Sequence, residues 1–313
     1  MRSITIVFLS IITLFGAAGG FTISPHAKPE YQFRVAIIDR FYPSGQQFSS
    51  TDERTDHGWI YGLVDLDHDE QKETYYHGDL VEMIARHPAV NTIAYPIFDN
   101  VHPMQSILAN LNKIIARQSV QPIDAVILSW ESSTLASSFT PPLSHRHSER
   151  YIAEIKQWAE TQPSWLTTYK IIRALEELTD QGVRVYTIAG NSGRRMINTF
   201  SFARGVITVG ASEAGLSHIA QNPFVDTTAP AVYYFTRLDD PSGNPIGYDI
   251  NDDGCVDIPV ENLTNSNQTN SLPEKHWQPL VGTSFAAPAA LHESLNASKS
   301  DNTGICEPRR RYL

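Results

Sequence analysis

A chain of 313 residues that is 41% hydrophobic and carries 24 basic against 34 acidic residues, a formal charge of -10, has the length and apolar content for one large globular domain or two small ones. The acidic balance excludes a chain-wide attraction to nucleic acid, which rewards basic proteins. Only the closing "EPRRRYL" is locally basic, and a charge run of that length at a terminus is ordinarily solvated.

The chain opens on Arg2, an apolar run over residues 4–15 and small residues over 16–20. That is the pattern of a signal peptide, here residues 1–20, and it predicts a secreted or periplasmic protein with no membrane association after cleavage. The alternative is an uncleaved anchor, for which the run falls short of the ~20 residues needed to span a bilayer. Export would permit Cys255 and Cys306, the only two cysteines, to form one disulfide; two free thiols are the other possibility.

The first strand signal is "FRVAIID" (33–39), a short apolar run bounded by polar residues. "NTIAYPI" (91–97), "IDAVILS" (123–129), "VRVYTIA" (183–189) and "GVITVGA" (205–211) are alike, and their β-branched content predicts strands covered on both faces. Between them, Ile107, Leu108, Leu111, Ile114 and Ile115 share one helical face. Ile171, Ile172, Leu175 and Leu178 share another, with Gly182 placed to end that helix. Strands alternating with amphipathic helices predict an α/β fold in three layers, a mostly parallel central sheet with helices on both faces. The rhythm breaks at about 132–165, which includes "SSTLASSFTPPLSHRHSER" (132–150), and at about 236–278; both read as surface insertions on a single domain over 21–313.

In an open parallel sheet, functional groups collect at the carboxyl ends of the strands. Asp39 closes the first strand, His77 opens the helical stretch "HGDLVEMIA", Asn191 follows "YTIAG", and Ser284 begins the small-residue run "SFAAPAA". A serine hydroxyl needs a base to take its proton, and the base needs a carboxylate to hold its tautomer. Ser284, His77 and Asp39 suit those roles. The Asn191 amide and the Ser284 N–H suit stabilisation of an oxyanion.

With these four residues in this order, the chain resembles the subtilisin-like serine peptidases, the subtilases, over residues 33 to about 290. Gly282, Thr283, Ser284, Ala286 and Pro288 meet the family pattern Gly-Thr-Ser-x-Ala-x-Pro in full. "AGNSG" (189–193) resembles its asparagine motif, and "VDTTAPAV" (225–232) its Asp-x-x-Ala-Pro landmark. The resemblance implies a three-layer subtilisin-like fold and an endopeptidase with a polypeptide substrate, working through an acyl-enzyme on Ser284 with no cofactor for catalysis. It also implies a substrate cleft at Ser129, Trp130 and Glu131, where Glu131 replaces a usual glycine and would either narrow the adjoining specificity pocket or make it acidic and favour a basic residue before the scissile bond. The chain departs from the family at Arg40 and Phe41 after Asp39, in "DLVEM" after His77-Gly78, and in the ~20 residues between signal and Asp39, where no folded pro-domain fits. Those departures leave a second expectation open, a catalytically inactive, calcium-stabilised binding module.

Calcium enters through two acidic stretches. "DINDDGCVD" (249–257) sets Asp249, Asn251, Asp253, Gly254 and Asp257 at the first, third, fifth, sixth and ninth positions of a calcium loop. Its twelfth position is Val260, with Glu261 one residue late, and a solvated Asp/Asn/Gly turn is the alternative. "DLDHDEQKE" (65–73) offers Asp65, Asp67, Asp69 and Glu73 without the turn glycine. A structural calcium at either is the one ion the sequence suggests. His145 and His147, in a Ser/Pro-rich stretch, read as solvated residues.

Overall fold

The computed structural model describes residues 33–41, 75–98, 101–216, 222–263 and 279–296. The signal-like segment, the 65–73 acidic stretch and Cys306 lie outside them. Cys255 is disulfide-bonded.

In chain order the strands are β1 (Phe33–Asp39), β2 (Val90–Pro96), β3 (Ala125–Leu128), β4 (Ser133–Leu135), β5 (Arg184–Ile188), β6 (Met196–Asn198), β7 (Ile207–Ala211), β8 (Thr227–Ala229), β9 (Val232–Tyr233), β10 (Thr236–Asp239), β11 (Pro245–Asp249), β12 (Ile258–Pro259) and β13 (Leu280–Val281). The helices are α1 (His77–Ala85), α2 (Pro103–Arg117), α3 (Ser148–Ala159), α4 (Pro163–Asp180) and α5 (Thr283–Asn296). A six-stranded sheet runs β2-β1-β3-β5-β7-β8, and every pairing in it is parallel.

Side chains on one strand alternate between faces, so β1 feeds two cores. Val35 and Ile37 join Leu80, Val81 and Ile84 of α1 and Ala286, Ala287 and Leu291 of α5. Ala36 and Ile38 join Ile107, Leu111 and Ile114 of α2, Ile152 and Ile155 of α3, and Ile171, Leu175 and Leu178 of α4. These are the three layers expected for a mostly parallel α/β protein. Local chemistry agrees with them. Pro103 and Pro163 open α2 and α4, where a missing N–H costs nothing. Gly182, at φ +85°, ends α4; the N–H of Val183 returns to Leu178 O at 3.0 Å and that of Gly182 to Thr179 O at 3.0 Å, the double bond of a Schellman motif.

The stretches read as insertions are more built-in than their composition suggests. Residues 132–165 contain β4 and α3, and they bury Phe139 and Tyr151 in an aromatic cluster with Phe202 and Phe224. The described part of 236–278 forms an antiparallel sheet β10-β11-β12 that sends Tyr248, Ile250 and Ile258 into the α1/α5 core.

Candidate active site

Asp39, His77, Asn191 and Ser284 come from four separate elements and gather at the carboxyl end of the central sheet. Asp39 ends β1 and is fully buried; His77, 4% exposed, is the first residue of α1. His77 Nδ1 lies 2.8 Å from Asp39 Oδ2. A carboxylate only accepts, so the proton of this bond is on Nδ1; in the neutral imidazole Nε2 then carries the lone pair. The other carboxylate oxygen accepts the N–H of Arg40 at 2.7 Å.

Arg40 locks the pair through its backbone. Its carbonyl accepts Gly78 N–H at 2.7 Å, so the end of β1 and the first turn of α1 are tied directly. A Cβ at position 78 would stand 2.9 Å from Asp39 Cβ and closer still to Arg40 O, which makes glycine the residue that permits this approach. The family departure at Arg40 therefore falls on a residue whose peptide groups make the two contacts.

Ser284, 2% exposed, sits in the first turn of α5. The His77 ring lies 5.5 Å from that of Phe285, the next residue. Pro288 has no N–H for the carbonyl one turn back, that of Ser284. The gap is filled across the fold: Ser129 Oγ donates to Ser284 O at 2.8 Å. Ser129 is thus fully buried behind the serine, while Trp130 is 8% exposed beside it.

Asn191 is fixed by its amide oxygen, which accepts Thr283 N at 2.9 Å and Thr283 Oγ1 at 3.0 Å. Its Nδ2 then remains a donor with no acceptor among the described residues, lying close to Gly282. In the first turn of α5, Phe285 N bonds Gly282 O at 3.1 Å, whereas Ser284 N has no acceptor among the described residues. A helix N-terminus favours negative charge. Two donors there, Asn191 Nδ2 and Ser284 N, are what an oxyanion requires.

Glu131 has a different surrounding from an open cleft wall. Its carboxylate accepts Asn191 N at 2.8 Å and Ser192 N at 3.2 Å, and the hydroxyl of Ser133. Sequence reading also missed Asn198, which is fully buried. Its Nδ2 donates to Ile188 O at 2.9 Å and Trp130 O at 3.2 Å, and its Oδ1 accepts Ser132 N at 3.1 Å. It joins the segments that carry Trp130, Glu131 and Asn191. In "MINTF" only its place at the end of a short apolar run hints at burial.

The acidic stretch 249–257 folds as a turn bonded to its own backbone. Asp249 Oδ2 accepts Gly254 N at 2.7 Å, Asn251 Oδ1 accepts Asp253 N at 3.1 Å, and Asp253 Oδ1 accepts Cys255 N at 2.8 Å. Asp257 is turned to the Arg86 guanidinium and accepts Ile250 N at 3.0 Å. Among the described residues no three His, Cys, Asp or Glu side chains converge as a metal site. His145 and His147 also separate, the first toward Asp226 and the second toward Ser144.

No family model and no curated protein matches the chain. Solved structures do. A lanthipeptide protease is 14% identical with a TM-score of 0.45, the match covering 86% of this chain and 76% of that one. The prenylagaramide maturation protease PagA is 15% identical with a TM-score of 0.40, covering 86% and 78%. The PatG macrocyclase in complex with peptide is 11% identical with a TM-score of 0.44, covering 85% and 77%. Likenesses this distant leave the chemistry to be read from the site itself. Among the described residues no helix is long and apolar enough to cross a membrane.

Proposed function

We propose that this chain is a secreted serine endopeptidase that hydrolyses peptide bonds through an acyl-enzyme on Ser284. The observation that carries the reading is the buried Asp39–His77 bond of 2.8 Å, held against the helix whose first turn bears Ser284.

In this mechanism His77 Nε2 takes the Ser284 proton as Oγ attacks the substrate carbonyl carbon. The oxygen of the tetrahedral intermediate receives hydrogen bonds from Asn191 Nδ2 and Ser284 N–H. His77 then protonates the leaving amine, and the C–N bond breaks. Water, deprotonated by the same nitrogen, attacks the ester and restores Ser284. Asp39 keeps the imidazole in the tautomer that leaves Nε2 basic. Among the described residues no hydrogen bond joins Ser284 Oγ to His77; such bonds commonly tighten only when substrate binds.

Fluorophosphonate labelling of the purified protein in calcium-containing buffer tests the reading. Stoichiometric labelling of Ser284 that is lost in Ser284→Ala is expected. A folded protein that takes no label would overturn the proposal and favour the binding module. Peptide hydrolysis should fall by several orders of magnitude in Ser284→Ala, because the triad acts as a unit.

A further inference from the structure

The loop 189–193, "AGNSG", turns through Gly190 at φ +102° and Gly193 at φ +98°. A left-handed residue followed by two amides aims successive N–H groups into one hollow, an arrangement that binds anions. Here the hollow is filled from within the chain. Glu131, 60 residues earlier, offers Oε2 to Asn191 N at 2.8 Å and Oε1 to Ser192 N at 3.2 Å. A Cβ on Gly190 would stand 2.8 Å from Glu131 Oε1, so the loop closes on this carboxylate because position 190 is glycine.

We infer that Glu131 is a positioning residue for the oxyanion donor: its carboxylate clamps the backbone of Asn191 so that the side-chain amide is presented to the developing charge. The inference rests on the serine-peptidase reading above. Asn191 is fastened at two points, its peptide N–H by Glu131 and its amide oxygen by Thr283 N and Oγ1. With both held, the one remaining donor, Nδ2, has a fixed direction. Charge-assisted bonds to backbone N–H are stronger than neutral ones, and preorganised donors stabilise an oxyanion without reorganising during reaction. The same contacts bear on the specificity expected of Glu131: a carboxylate that accepts two peptide N–H groups and the Ser133 hydroxyl has most of its acceptor capacity engaged before any substrate side chain arrives.

A double-mutant cycle tests this by the parameter each role would move. Asn191→Ala is expected to lower kcat about 10²–10³-fold, the usual loss for one oxyanion donor. Glu131→Ala should lower kcat about 10–100-fold with KM within about twofold, for basic and apolar peptides alike. Glu131→Gln, which can accept only one of the two N–H groups, should fall between. In the Asn191→Ala background, Glu131→Ala should cost less than about threefold, since the donor it positions is gone. Thermal unfolding of Glu131→Gln confirms that the comparison is made on folded protein. A full multiplicative loss in that background, or a loss confined to KM for Arg and Lys substrates, would overturn the positioning role while leaving the serine reading intact. Absence of fluorophosphonate labelling in the unmutated protein would instead remove the serine reading, and this inference with it.

Discussion

Ser129 Oγ donates a hydrogen bond of 2.8 Å to the carbonyl of Ser284, joining the residue after β3 to the first turn of α5. The bond exists because Pro288 cannot supply the helical N–H that would otherwise occupy that carbonyl. Both residues are buried, so without Ser129 a buried acceptor is left unmade, a loss of about 1–3 kcal/mol. Ser129→Ala should therefore lower the unfolding free energy by that amount, read as a lower urea midpoint with little change in the m-value. Pro288→Ala restores a donor within the helix, and combining the two should recover part of the loss. Equal costs for Ser129→Ala in both backgrounds would show that the carbonyl is not what Ser129 serves.

Gly78→Ala should separate the residues that form the Asp39–His77 bond. The added methyl meets backbone and the Asp39 Cβ, neither of which can rotate away, and forcing a packed site apart costs typically 1–3 kcal/mol. The expected result is a lower melting temperature together with slower fluorophosphonate labelling than in the unmutated protein. Gly215, where no atom among the described residues lies within 4 Å of an added Cβ and φ is outside the left-handed range, is the control for an added methyl without a clash.

Asn198→Asp should destabilise more than Asn198→Ala. The amide donates to two carbonyls, Ile188 O and Trp130 O; a carboxylate in its place turns acceptors toward acceptors in a fully buried site. About 3–5 kcal/mol is expected for a buried charge without a partner, read as a loss of urea stability. If Asp were tolerated as well as Ala, the amide would not be the joint between the segments that carry Trp130, Glu131 and Asn191.

Much of this architecture is legible in the sequence because strands covered on both faces leave an unbroken apolar record. "FRVAIID" predicts β1 to the residue, and Gly182 ends α4 where expected. The three layers follow from the alternation of such runs with amphipathic helices, and they match the observed parallel sheet. The stretch 132–165 was obscured by its Ser and Pro content, which hides Phe139 and the Tyr151, Ile152 and Ile155 face of α3. Arg40 and Glu131 stand out in the sequence as departures from a familiar motif, but their bonds could not be read there. Arg40 works through its peptide groups, which any side chain would leave in place. Glu131 meets amides 60 residues away, a relation that depends on the pairing of β3 with β5.

Asp257 gives stability a pH dependence whose sign can be worked out. Burial pushes its carboxyl up to about 6, against the attraction of Arg86 and the Ile250 N–H, with Asp253 and Asp249 adding to the rise. Arg86 does not cancel the burial because its own side chain is 33% exposed while that of Asp257 is fully enclosed. An unfolded aspartate titrates near 3.9, so between about pH 4 and pH 6 the folded chain binds the proton more tightly than the unfolded one. Stability from this group is then fully present below the unfolded value and is lost as pH rises through the folded one, by at most about 3 kcal/mol. Asp257→Asn, which cannot ionise, should flatten that portion of the profile when urea midpoints at pH 4, 5, 6 and 7 are compared with those of the unmutated protein. Arg86→Met removes this positive neighbour and should steepen it, with the larger loss at pH 7, where Asp257 is left buried and charged. Parallel profiles for the unmutated protein and Asp257→Asn would place the titrating group elsewhere.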